Sequence, residues 1–141
     1  MNIYVDTSFL VSIYISDMHS SIADKLLISS RGALCTPLHR VEFAHSIEQN
    51  VFRGQISSKA ANQVYAEFER DCNSGIWREV DQPELMFVVA TDLARTHIAK
   101  LGTRTLDTLH VASALELKAE RFWTFDDRQK KLAKAVGLKI S

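Results

Sequence analysis

At 141 residues, with 46% hydrophobic and 24% charged positions but only five glycines and two prolines, the chain is expected to form one globular domain over 1–141 and not a disordered, collagenous or disulfide-built protein. Its formal charge is zero, so no global field draws it to nucleic acid or to an anionic membrane, and any polyanion has to be met by a local patch. The start, MNIYVDTSFL, lacks a basic segment followed by a long apolar run, and no apolar stretch reaches the ~20 residues of a membrane span, so a cytoplasmic protein without membrane contact is expected.

Short apolar runs over 3–5, 33–35, 76–80, 122–125 and 138–140 read as strands. Between them, apolar periodicity predicts helices over 7–15, 20–30, 37–52, 57–73, 83–100, 105–119 and 127–136. Thr36 followed by Pro37 supplies an N-cap and a proline in the first turn, while Ser57 and Thr105 are placed to cap their own helices. Gly32, Gly54, Gly75, Gly102 and Gly137 each follow a helical run, as residues able to take positive φ do. Cys35 and Cys72 have no metal-like spacing and read as reduced thiols. Trp77, Phe87 and Trp123 read as core. Strands that alternate with helices and lack a clean period of two predict an α/β fold with a mainly parallel sheet covered by helices, whose sites lie at the carboxyl ends of strands.

Four carboxylates stand out against this frame. Asp6 leaves the first strand at the start of a helix, where capping and a role in a site are both open. Glu42 lies in the second turn of its helix, beyond capping reach, on a face shared with Leu38, Val41 and His45, so a buried acid in need of a partner is expected; pairing with Arg40 or His45 is the alternative. Asp107 occupies the first turn of a helix that carries Leu106, Leu109, Val111, Ala112, Ala114, Leu115 and Leu117 around most of its circumference. That pattern marks a central helix with an acid at its tip. Asp126 follows the fourth strand and can cap the next helix with Gln129 completing the box, although Asp127 could take the capping role.

Two of these acids leave strand ends and two sit near helix starts, places that share one edge of a parallel sheet. Carboxylates within ~4–6 Å repel unless a cation compensates. An oxygen-only donor set points to Mg²⁺ or Mn²⁺ and not to zinc, and such ions serve phosphodiester hydrolysis. Arg104 and the run Arg128, Lys130, Lys131 and Lys134 are candidates for phosphate contacts, with a solvated helix face the simpler reading of the three lysines. His110 reads as a buried, hydrogen-bonded imidazole and not as a catalytic base.

The strings YVDTSFL, HRVEFAHSI, RTLDTLHVASAL and FWTFDDRQKKLAKAVGL, in this order, resemble the signature blocks of PIN-domain ribonucleases, in particular the VapC-type toxins of toxin–antitoxin pairs. The resemblance spans nearly the whole chain. It implies a three-layer α/β/α sandwich and metal-binding acids at Asp6, Glu42, Asp107 and Asp126. It matches a Thr-x-Asp element to Thr124 and Asp126, and a hydroxyl after the first acid to Ser8, with Thr7 beside it. It further implies a Mg²⁺- or Mn²⁺-dependent endoribonuclease acting on RNA, a homodimer, and inhibition by a cognate antitoxin. Ser8, Arg104, Thr124 and Arg128 are the candidate substrate contacts.

Two other readings compete. A receiver-like Mg²⁺-binding signalling domain would need a phospho-accepting aspartate at a strand end near mid-chain, and 50–70 offers none. A catalytically silent PIN-fold binding module would be expected to have lost acids. A phosphate-binding loop is excluded by the lack of any glycine-rich segment.

Overall fold

The computed structural model describes residues 1–140. The elements run β1 (Ile3–Val5), α1 (Thr7–Tyr14), α2 (Ser20–Ser29), β2 (Ala33–Cys35), α3 (Pro37–Phe52), α4 (Ser58–Asn73), β3 (Trp77–Glu79), α5 (Met86–Leu93), a π-helical turn (Ala94–Ile98), α6 (Ala99–Leu101), α7 (Thr105–Glu116), β4 (Arg121–Trp123) and α8 (Asp127–Ala135). The architecture is α/β, with a four-stranded parallel sheet flanked by helices. The chain divides into two compact units, Met1–Asp6 with Asp81–Ser141, and Thr7–Val80.

In the first unit β1 pairs in parallel with β4, Ile3 opposite Arg121, Tyr4 opposite Phe122 and Val5 opposite Trp123. The ladder continues one step further, the Asp6 amide donating to the Trp123 carbonyl at 3.1 Å. Helix α7 packs against α5 and α8. Seven consecutive residues of α7, from Thr108 to Ala114, are buried, which makes it the central helix that its apolar circumference predicts. Among them His110, 1% exposed, meets the Tyr4 hydroxyl at 2.7 Å, and Tyr4 stacks on Phe122. The buried, bonded imidazole is therefore as expected.

In the second unit β2 pairs in parallel with β3, Ala33 opposite Trp77 and Cys35 opposite Glu79. Gly32, at φ +98°, leads into β2, and a Cβ there would lie 2.7 Å from the Gly75 carbonyl oxygen and 2.9 Å from that of Ile76. Only glycine fits so close a backbone approach. Phe43 and Phe68 meet at 4.7 Å between ring centroids, with Tyr14 edge-on to both. The Tyr14 hydroxyl donates to Asp71 and accepts from the Trp77 indole. Burial and the Asp71 carboxylate push that phenol well above its ordinary pKa. Arg40 spans α3, α4 and β3 by ion pairs with Glu69 and Glu79 while lying over the Phe68 ring. Cys35 and Cys72 are free thiols; burial pushes Cys35 up to about 12 and Cys72 up to about 11, which keeps both protonated and unreactive.

Several expectations change. The fourth strand starts one residue earlier than predicted and ends two residues earlier, at Trp123, because Thr124 turns out of the ladder to bond Asp6. The predicted strand over 138–140 is a single bridge from Lys139 to Arg121. The helix predicted over 83–100 starts only at Met86, after a turn closed by the Met86 amide on the Pro83 carbonyl. It then widens into the π turn, which nothing in Ala-Arg-Thr-His-Ile announces. Thr105 is the first residue inside α7 and does not cap it; Arg104 holds the cap position, with a side chain that has no acceptor to offer. Phe87 and Leu106 are exposed, not core. No helix among the described residues is long and apolar enough to cross a membrane.

Candidate active site

Asp6 ends β1 and is 4% exposed. A carboxylate so buried needs donors. One is the Thr124 hydroxyl, 2.8 Å from Asp6 Oδ2. Thr124, also buried, accepts at the same oxygen from the Asp126 amide at 3.1 Å. One neutral hydroxyl thus joins the first acid to the last. The Thr-x-Asp spacing makes this possible, since a residue two positions before the cap can turn its side chain back over the cap's own N–H.

Asp126 caps α8 as predicted, its Oδ1 accepting from the Gln129 amide at 2.8 Å. The reciprocal half of a capping box does not form. Instead the Gln129 side-chain nitrogen donates to the Asp107 carbonyl at 3.2 Å. Asp107 stands in the first turn of α7, where the helix dipole favours an acid, and its carboxylate lies 3.5 Å from the Arg104 guanidinium. Arg104 is 81% exposed, so this pair contributes under ~1 kcal/mol.

Asp107 and Asp126 share the wall of one open cavity of about 420 Å³, together with Arg104, Asp127 and Arg128. Asp6 is not on that wall and connects to it through Thr124. The first unit therefore brings together three of the four predicted acids. Lys131 and Lys134 are exposed and outside the cavity, a solvated helix face.

Glu42 belongs to the second unit, half-buried on α3. The buried stripe of α3 is His39, Phe43 and Ile47; Val41 and His45, expected beside Glu42 on a buried face, are exposed. Glu42 sits at the edge of the stripe, and its Oε1 accepts from the Thr7 hydroxyl at 2.9 Å. Thr7 follows Asp6 in the chain, and the next residue, Ser8, is exposed on α1.

No group of three or more His, Cys, Asp or Glu side chains among the described residues forms a ready-made metal cage. Mg²⁺ does not require one, since it keeps several waters and is held by one or two carboxylates plus substrate oxygens. The cavity wall fits that chemistry: its donors are all oxygens, and three acids outweigh two arginines. A wall of that sign repels a phosphodiester until a divalent cation reverses it. Sequence reasoning weighed Thr124 as a substrate contact and Gln129 as a capping partner, and missed that both side chains lie between acids. The spacings Thr-x-Asp and Asp-x-x-Gln were the available signal.

The profile of the PIN domain family matches residues 3–135. The chain belongs to the PIN domain family. Solved structures with the same fold include VapC20 of Mycobacterium tuberculosis, described as a sarcin-ricin loop cleaving toxin, with a TM-score of 0.71 at 16% identity over 98% of each chain. VapBC2 from Rickettsia felis, bound to a DNA fragment from their promoter, has a TM-score of 0.70 at 15% identity, covering 100% of this chain and 98% of the other. FitAcB from Neisseria gonorrhoeae has a TM-score of 0.68 at 13% identity, covering 99% and 96%. No curated protein sequence matches the chain.

Proposed function

We propose that the chain is a Mg²⁺- or Mn²⁺-dependent endoribonuclease that hydrolyses RNA phosphodiesters, folded as one PIN domain. In this reading it acts in the cytoplasm as the toxin of a VapBC-type pair, a homodimer silenced by its cognate antitoxin. The observation that carries the reading is the placement of Asp107 and Asp126 on one cavity wall, with Asp6 tied to Asp126 through Thr124. Membership of the PIN domain family supports a nuclease, and the fold shared with VapC20 supports a toxin.

Asp6, Glu42, Asp107 and Asp126 are the residues that would hold the metal. When bound, a divalent ion supplies Lewis-acid polarisation of a phosphate and an activated water. The chain's own groups do the rest. Thr124 fixes the rotamer of Asp6 by donating to one of its carboxylate oxygens. Thr7 orients Glu42 in the same manner. Arg104 and Arg128 reach the cavity from opposite sides of the acids in sequence and would bind phosphates flanking the scissile one. Ser8, exposed at the start of α1, would make a sugar or phosphate contact. His110 takes no part, because its ring is committed to Tyr4.

The test is cleavage of RNA by the purified protein with and without Mn²⁺, in the wild type and in Asp107→Asn. Cleavage that requires Mn²⁺ and falls to background in the variant, with an unchanged circular dichroism spectrum, is the expected result. Full activity in Asp107→Asn rejects the mechanism. Mn²⁺ binding without cleavage of any RNA would favour a silent binding module.

A further inference from the structure

Gln129 is fully buried on α8, at 0% exposure. It shares the inward face of that helix with Leu132 and Ala133, so it occupies a position where an apolar side chain would be ordinary. Its side-chain oxygen is buried and finds no hydrogen-bond partner among the described residues. An orphaned buried acceptor costs stability, and an apolar residue of the same length would remove that cost. The orientation of the amide is not arbitrary: its nitrogen faces the Asp107 carbonyl, and the reverse orientation would set two acceptors against each other.

What the position supplies in return is a connection. The Gln129 main-chain amide holds the Asp126 carboxylate at 2.8 Å, and its side chain holds the backbone of Asp107 at 3.2 Å. One residue therefore grips two of the three acids of the cavity wall, Asp107 by its side chain and Asp126 by the helical turn that carries it. With Thr124 the links form a continuous path from Asp6 through Asp126 to Asp107.

We propose that Gln129 is a positioning residue that sets the separation of Asp107 and Asp126 and so tunes the affinity of the cavity for a divalent cation. The inference rests on the metal-dependent reading above. Neutral partners that orient metal-binding groups typically change affinity or activity by about 10–100-fold when removed. A residue kept only for packing would change stability and leave affinity alone.

The substitution Gln129→Met keeps length and volume, preserves the main-chain bond to Asp126, and deletes both the bond to Asp107 and the orphaned oxygen. Its Mn²⁺ dissociation constant, measured without RNA by paramagnetic resonance titration, is expected to rise about 10–100-fold. The metal-free melting temperature should stay level or rise. In cleavage assays kcat should fall at saturating RNA while KM for RNA holds. If Gln129→Met does not fold, Gln129→Asn serves: its amide is one methylene too short to reach Asp107, and the same loss of affinity is expected. A folded variant of either kind that binds Mn²⁺ as tightly as the wild type overturns the inference while leaving the functional reading in place. Failure of the wild type itself to bind Mn²⁺ overturns both.

Discussion

Replacing Thr124 with valine tests whether the buried hydroxyl is what makes the Asp6 carboxylate tolerable. The substitution is close to isosteric and deletes one oxygen, which donates to Asp6 at 2.8 Å and accepts from the Asp126 amide at 3.1 Å. A hydroxyl bonded to a carboxylate contributes about 1.5–3 kcal/mol. Asp126 is only half-buried, so its released amide can turn to water and adds little. The buried methyl gained in exchange returns about 0.8 kcal/mol. The net loss is about 1–2 kcal/mol, or a fall of roughly 3–7 °C in melting temperature for a chain of this size. Urea denaturation at neutral pH, without metal, measures it. The mechanism requires more than the loss itself: in a cycle with Asp6→Asn, the two substitutions should be coupled by about 1 kcal/mol. Additivity within ~0.3 kcal/mol would show that the hydroxyl and the carboxylate are not one unit, and the reasoning would fail.

Three further outcomes are expected. Arg128→Ala, examined by fluorescence anisotropy with single-stranded RNA in the Asp107→Asn background, should weaken binding and reduce the slope of log affinity against log salt by about 0.7, the share of one phosphate contact; an unchanged slope places Arg128 away from RNA. Gly32→Ala should cost at least about 2 kcal/mol in urea denaturation, because positive φ and a 2.7 Å approach to the Gly75 carbonyl act together; near wild-type stability would contradict the geometry. Glu69 is held below its ordinary value of 4.5 by the Arg40 guanidinium. A depressed carboxyl contributes stability above that ordinary value and loses it as the pH falls through the lowered one. The pair is exposed, so the contribution is under ~1 kcal/mol. Glu69→Gln should therefore be slightly less stable than the wild type at neutral pH and equal to it at the acid end, by urea denaturation.

Much of the site's outline follows from residues whose behaviour is local. Thr36 with Pro37, Ser57 and Asp126 cap the helices at which they were placed. All five glycines take positive φ. The strands over 3–5 and 33–35 have the predicted bounds. Errors gathered where the outcome depends on what packs against a face. Phe87 and Leu106 have core-like chemistry but no neighbour to cover them. The buried stripe of α3 runs through His39, Phe43 and Ile47, a rotation that an apolar count over Leu38 and Val41 did not reveal. His39 is buried because its ring completes the cap, its Nδ1 accepting from the Thr36 amide at 2.9 Å.

The amino-acid order alone settles which residues end strands, which open helices and which turns demand glycine, because these depend on a handful of torsions and on bonds between near neighbours. From that came an α/β chain with four acids at strand ends or in the first two turns of helices. Tertiary structure decides which side chain answers which. The Thr124 hydroxyl finds Asp6 across 118 residues, Tyr4 finds His110 across 106, and Gln129 leaves its own capping box for a carbonyl 22 residues away. A hydrogen bond tolerates a few tenths of an ångström. That precision is reached only after helices and strands have packed, so the spacings Thr-x-Asp and Asp-x-x-Gln could mark Thr124 and Gln129 but not name their distant partners.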